Sequence, residues 1–389
     1  MTLTVPSFSS VRGRLNVLFI LNGLLYASWA VQIPAVQGRY HLNTVQLSGL
    51  LFALAAGTLL SRPLTQRILV TRGARQAGMT NLLLMTLSLA LLGVVPFAPA
   101  AFGLAFGFGL GFGGTDFTLN SVGGWLEERM KQPIMSVLHG MYSLGALVGA
   151  GIGVLFIGGH VTLATHLTGM GAVVLFAGLL ALSQVPAQIE QSSSTIARRP
   201  PLALLLLLIP GFFAAYGEGT ITDWSAVYLK GVFAVGHAQA SYGFVAFSAL
   251  MVLGRFAGDR LTVVFGAARL ALWATLTGAA GFALITWTGS SVGSVLGFGL
   301  AGAGVSVLAP LTFSAAWRHQ GSAGIALLAT VFTSGFLAGP PLTGMVIQQA
   351  QLAQAFTLPI LLALLSVGAM LIRPLYAPAK TVPLPIPQV

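Results

Sequence analysis

The sequence contains no cysteine and very little charge. Without cysteine there can be no disulfide, no thiolate metal site and no cysteine nucleophile. Charged residues make up 6% of the 389 positions, against about 25% in a soluble domain. So few charges cannot build a water-facing surface, so most of the exterior must face lipid. Acids are the scarcest, with seven Asp and Glu against 18 Lys and Arg and a net charge of +11. On a soluble protein that balance would suggest nucleic acid. Here the basic residues sit in short loops between apolar runs and form no stripe interleaved with aromatics. They read as topology signals meeting anionic lipid headgroups, and no nucleic-acid partner is expected. The six His are scattered, none four residues from another, so no metal site is expected. No Walker loop is present, so no nucleotide or other cofactor is expected.

What the sequence does have is apolar length, with 56% hydrophobic residues. A membrane helix needs about 20 mostly apolar residues. Such runs fall at 15–36, 45–69, 76–96, 100–126, 134–158, 162–184, 202–229, 239–261, 267–288, 291–317, 322–348 and 355–376. The first follows a short tail with Arg12 and Arg14 and lacks a small-residue cleavage site, so it reads as a span and not a signal peptide. Twelve spans put both termini on one side. Sixteen of the 18 Lys and Arg then share that side, leaving Arg39 and Lys230 on the other. The positive-inside rule makes the crowded side the cytoplasm. The expected protein is an all-α, twelve-helix, multi-pass protein of the inner membrane with cytoplasmic termini. The polar stretch Gln184–Pro200, with its Ser/Thr run and Arg198-Arg199-Pro200, reads as a flexible cytoplasmic linker. It divides the chain into an N-terminal six-helix half (1–184), a linker (185–201) and a C-terminal six-helix half (202–389).

The halves resemble each other. Arg62, Arg67, Gly73 and Ala74 match Arg255, Arg260, Gly266 and Ala267 at an offset of 193, as do Ser48 with Ser241 and Ala53 with Ala246. Gly107-Phe108-Gly109-Leu110 matches Gly297-Phe298-Gly299-Leu300, and Gly145 and Gly149 match Gly335 and Gly339, at 190; Trp29 matches Trp224 at 195. Repeated halves mark many secondary transporters, whose site lies near the midplane between them. Both glycine runs also fit G-x-G-x-x-G. They lie inside apolar helices with no preceding strand, so they read as close helix packing and not as a dinucleotide loop.

Three acids fall within or near the bilayer: Asp116, Glu218 and Asp223. A carboxylate there costs about 2.5–3.5 kcal/mol even on the lenient insertion scale, and persists where it is paired, solvated in a cavity or protonated. Asp116 lies about 4–5 Å from the centre of its span at 1.5 Å per residue, with Asn120 one turn on along the same face. Gly109, Gly113, Asp116 and Asn120 form one stripe, which reads as a recess with polar groups at its floor. The competing reading is a hydrogen bond to a neighbouring helix. Glu218 stands between Gly217 and Gly219, a pattern that suggests an interrupted helix at a transport site; structural bonding across the halves competes. Asp223 lies nearer the outside and reads first as a structural or water-exposed acid. His139, at the start of the fifth span, is a candidate proton relay, against a packed, hydrogen-bonded His. Asn22, Tyr26, Trp29 and Gln32 lie on or near one face of the first span and are candidate cavity residues, with core packing as the alternative. Arg255 and Asp259, four apart and followed by Arg260, suggest a cytoplasmic latch or a static helix cap.

At these residues the chain resembles the major facilitator superfamily over essentially its whole length, through the two six-helix halves, the central linker and Gly254-Arg255-Phe256-Ala257-Gly258-Asp259-Arg260. Within it the chain is similar to the bacterial YbjJ/MosC-type branch related to fucose permease. The residues that carry this are Ala27-Ser28-Trp29-Ala30, Leu138-His139-Gly140-Met141-Tyr142-Ser143-Leu144-Gly145, and Glu218-Gly219 followed by Asp223-Trp224. The resemblance implies a proton-coupling and sugar-binding role for Asp116 and sugar contact for Asn120. The chain departs from the superfamily pattern at Val70 and Val263, where an Asp is usual three residues before the loop glycine. It also lacks the proline of the drug/proton antiporter motif in the fifth span. The expectation is a secondary transporter that moves a small polar, sugar-like solute by proton symport through alternating access, acting as a monomer among membrane lipids. Asp116 and Glu218 would couple protons, with Asp116, Asn120, Asn22, Tyr26, Trp29, Gln32, Glu218 and Trp224 binding solute. The alternatives are a proton-coupled exporter of drugs or metabolites, and, outside transport, a membrane receptor or a membrane-embedded enzyme.

Overall fold

The computed structural model describes residues 8–130, 134–189, 200–349, 351–373 and 375–376. The N-terminal half comprises α1 (Phe8–Ala30), the short α2 (Ile33–Arg39), α3 (Thr44–Arg72), α4 (Ala74–Val94), α5 (Ala98–Met130), α6 (Met135–Gly158) and α7 (Leu163–Leu182). The C-terminal half comprises α8 (Leu202–Phe233), the one-turn α9 (His237–Ala240), α10 (Tyr242–Phe265), α11 (Ala267–Trp287), α12 (Ser291–Ser306), α13 (Leu308–Gln349) and α14 (Thr357–Ile372). Among the described residues ten helices are long and apolar enough to cross a membrane, and α1 with α2, bent by 46°, makes an eleventh. The 33-residue, glycine-rich α5 completes twelve. The sequence spans differ from these in two places. Span one bends at residues 31–32, and spans ten and eleven are not separated by a loop: helix breaks at Val307 and then runs on through the 42 residues of α13.

The two halves use one packing scheme. In the first, α1 lies against α6, α5 sits between α3 and α4, and α4 lies against α7; in the second, α8 lies against α13, α12 sits between α10 and α11, and α11 lies against α14. Glycine makes both sandwiches possible. A Cβ on Gly109 would strike the carbonyl of Leu54 on α3, and one on Gly111 would strike the backbone of Met85 on α4. In the second half Gly302 faces the carbonyl of Phe247 on α10, and Gly281 on α11 faces the backbone of Ala301. Interhelical hydrogen bonds in membranes average about 0.6 kcal/mol, too little to order twelve helices, so backbone approach through small residues carries the packing. Gly73 and Gly266, matched in the repeat, take φ of +88° and +76° at the α3–α4 and α10–α11 corners, a conformation that favours glycine.

Three sequence expectations need correction. The faces of Gly109 and Gly113 are filled by α3, through Leu54, Thr58 and Ser61, and leave no recess. The helix is not interrupted at Glu218: α8 is continuous, and Gly217 and Gly219 admit the rings of Phe282 and Phe336. The start of the polar stretch after residue 184 is fixed, because Arg75 donates to the Val185 carbonyl from Nε (3.1 Å) and Nη2 (2.8 Å), and the Ala74 N–H donates to the Ala187 carbonyl (2.8 Å). The rest of that stretch, 190–199, lies outside the described residues.

The halves meet along α6 and α10, where Gly140 faces the ring of Phe256, and also at the end opposite the arginine-rich corners. There the Ser48 side chain of α3 lies against Gly344 of α13, and Ser241 Oγ donates to the Val31 carbonyl (3.5 Å). Ser48 and Ser241 are repeat partners, so the two halves seal this end with equivalent residues. A cleft of about 690 Å³ opens beyond the seal, lined by Gln32, His160, His237, Gln239 and Tyr242 among others.

Candidate functional site

A chain of polar side chains runs between the halves. Asn120 Nδ2 on α5 donates to Asp116 Oδ1 (3.1 Å) and to the Asp116 carbonyl (2.9 Å). With its amide nitrogen committed there, Asn120 Oδ1 accepts from His139 Nε2 on α6 (3.1 Å). His139 is exposed, although it stands in the bundle between α5 and α1, with its ring 5.7 Å from that of Phe19. One turn further along α6, Ser143 Oγ donates to the His139 carbonyl (3.1 Å) and accepts from Arg255 Nη1 on α10. The other guanidinium nitrogen, Nη2, pairs with Glu218 Oε2 on α8 at 3.6 Å. Asp116 and Glu218, in different halves, are thus the two ends of one polar chain. Arg62, the repeat partner of Arg255, acts electrostatically on Asp116.

The pair at Glu218 is not a deeply buried lock. Its side chains keep 16% and 20% exposure, so water reaches both groups and can solvate them when the pair breaks within a transport cycle. The Arg255 guanidinium reaches inward to Glu218 and Ser143. The side chain of Asp259 lies outside the described residues, and Arg260 is exposed.

Beside this chain lies an aromatic wall. Tyr26 on α1 stacks on Phe112 of α5 at 4.5 Å and 21°, and Phe112 meets Tyr142 of α6 at 6.5 Å. The charges of Asp223 and Glu218 on α8 both reach Tyr26. The other residues of the α1 face are positioned differently. Trp29 and Trp224 are fully buried in the core and have no surface to offer a solute in this state. Gln32 is 2% exposed and bonds His166 Nδ1 (2.7 Å) at the sealed end, away from Asp116. Asn22 is 1% exposed, and neither of its amide atoms has a partner. Among the described residues no three His, Asp or Glu come together as a metal site.

No family model matches the sequence. Full-length relatives do. The chain is 32% identical to an uncharacterized transporter, y4wD, of Sinorhizobium fredii over 77% of this chain and 80% of the relative. It is 32% identical to the membrane protein MosC of Rhizobium meliloti over 90% and 86%, and 30% identical to an uncharacterized MFS-type transporter of Yersinia pestis over 91% and 93%. The chain belongs to the major facilitator superfamily. Solved structures of transporters share this fold. The nucleoside transporter NupG (D323A mutant) superposes with a TM-score of 0.75 at 11% identity, over 93% of this chain and 99% of its own. A bacterial homologue of the lysosomal transporter Spinster, inward-facing and occupied, gives 0.71 at 15%, over 95% and 97%. This member of the superfamily is accordingly a membrane transporter and not an enzyme.

Sequence reasoning missed the partners more than the residues. Ser143 and Tyr142 sit in the quoted run around His139 without a role, and Phe112 was hidden among glycines. The pairing of Arg62 and Arg255 in the repeat was the one available signal that these arginines are not ordinary loop charges.

Proposed function

We propose that this transporter couples a proton to a small polar, sugar-like solute and imports it by alternating access, in keeping with its resemblance to fucose permease. The observation that carries the reading is the polar chain from Asp116 through Asn120 and His139 to Ser143, Arg255 and Glu218. It joins an intramembrane acid of each half to an exposed histidine. Proton uptake at Asp116 would weaken its hold on Asn120, and the change would pass along the chain to the Ser143–Arg255 bond between the halves. Rings suit the apolar faces of a sugar, and Tyr26, Phe112 and Tyr142 supply them next to the amide and hydroxyl groups. In proteoliposomes, the transported solute should accumulate only under an imposed pH gradient, acid on the side of entry. Equal accumulation with the gradient collapsed by a protonophore rules out proton coupling.

We further propose that the protein resides in the inner membrane with the arginine-rich end in the cytoplasm. In intact cells an impermeant maleimide should label Gln351→Cys and spare Thr71→Cys, both exposed positions at opposite ends. Reversed labelling would overturn this orientation.

A further inference from the structure

We propose that the transported solute carries a protonated amine, and that Asp223 is the group that receives it. This rests on the reading above that solute binds between the halves, and it narrows the solute class. The first observation is a charge imbalance. Of the three intramembrane acids, Asp116 accepts from Asn120 and Glu218 pairs with Arg255. Among the described residues Asp223 has no ion pair and no hydrogen bond. It is 8% exposed. A carboxylate held this deep without a partner is costly, and a cationic ligand is one partner that would remove the cost. His139 does not supply the missing charge, since its ring bonds Asn120 on the Asp116 side of the site.

The second observation is an aromatic face within electrostatic reach of this acid. The charge of Asp223 reaches Tyr26 on α1, whose ring is stacked on Phe112. An ammonium group between a carboxylate and an aromatic face gains from both, since ring quadrupoles attract cations within about 6 Å. The third is Asn22, one turn from Tyr26 on the same face of α1. Its amide is buried with both donor and acceptor unused, and buried polar groups are rarely left so. At 1% exposure it would meet a hydroxyl on the same solute only once the bundle opens. Together these groups describe a ligand with one cationic end and at least one neutral polar group.

The test uses the purified full chain and pairs of probes that differ by an amine: glucosamine against glucose, galactosamine against galactose, and tyramine against 4-ethylphenol. Binding is read by thermal shift and by isothermal titration at millimolar concentration. At least one amine should bind at least about tenfold more tightly than its neutral twin, a tenfold change being about 1.4 kcal/mol. Asp223→Asn should erase that preference and Asp223→Glu should keep it, so that loss through misfolding is told apart from loss of charge. Neutral twins binding as well as amines, an amine preference that survives Asp223→Asn, or no binding by any amine would each overturn the proposal. Neutral sugars binding alone would leave the sugar-like reading standing while this inference falls. Asp223-dependent amine binding without pH-driven uptake would do the reverse.

Discussion

Asp116→Asn is expected to abolish uphill accumulation of solute while leaving binding and downhill exchange. The substitution keeps the shape of the side chain and an oxygen that accepts from Asn120, whose amide lies 3.1 Å from the present carboxylate. What it removes is the ability to gain and lose a proton. One proton per cycle across a gradient of one pH unit supplies about 1.4 kcal/mol, equivalent to tenfold accumulation. The parent should therefore concentrate solute about tenfold under that gradient, and the variant should stop at the external concentration. Counterflow exchange, which needs no net proton movement, should persist in the variant. Initial-rate uptake into proteoliposomes, with and without the gradient, measures both. Accumulation by Asp116→Asn equal to that of the parent would make Asp116 structural and move the coupling site to Glu218.

The fold was legible because membrane helices announce themselves locally. Apolar length gave the spans, basic corners gave their alternation, and glycines gave the close faces. The repeat was legible for the same reason: Gly73 and Gly266 match in sequence and share the positive φ of two equivalent corners. What could not be read was which helix faces which. Glycines beside Glu218 suggest a broken helix when only their propensity is counted; in the bundle they accept the rings of Phe282 and Phe336, and α8 runs on. Gly109 and Gly113 point toward a recess until α3 is placed against them. Arg255 has an acid four residues away in sequence, yet its guanidinium reaches Glu218, 37 positions earlier and on another helix. Local spacing ranks neighbours along one helix; partner choice across helices is decided by packing. The same limit hid the difference between Asp223 and the other two acids, which is the absence of a partner.

A disulfide between Ser48→Cys and Gly344→Cys should stop transport completely and reversibly. Alternating access requires the sealed end to open, and this pair lies in the seal, one residue from each half. The chain has no other cysteine to confuse the result. A Cβ on Gly344 would stand 2.8 Å from that of Ser48, closer than the roughly 3.5–4.5 Å of a disulfide, so the helices need part by only about 1 Å for the bond to form. Alternate states of such proteins differ by a few kcal/mol, which thermal motion crosses readily and a covalent bond does not permit. Residual uptake should then equal the uncrosslinked fraction, and reductant should restore it, while Ser48→Cys alone leaves uptake intact. Solute binding measured in detergent should survive the crosslink, because the His139 side of the site is not held by it. Full uptake by fully crosslinked protein would mean that this end does not open during transport, and that solute passes by a route other than the one between the halves.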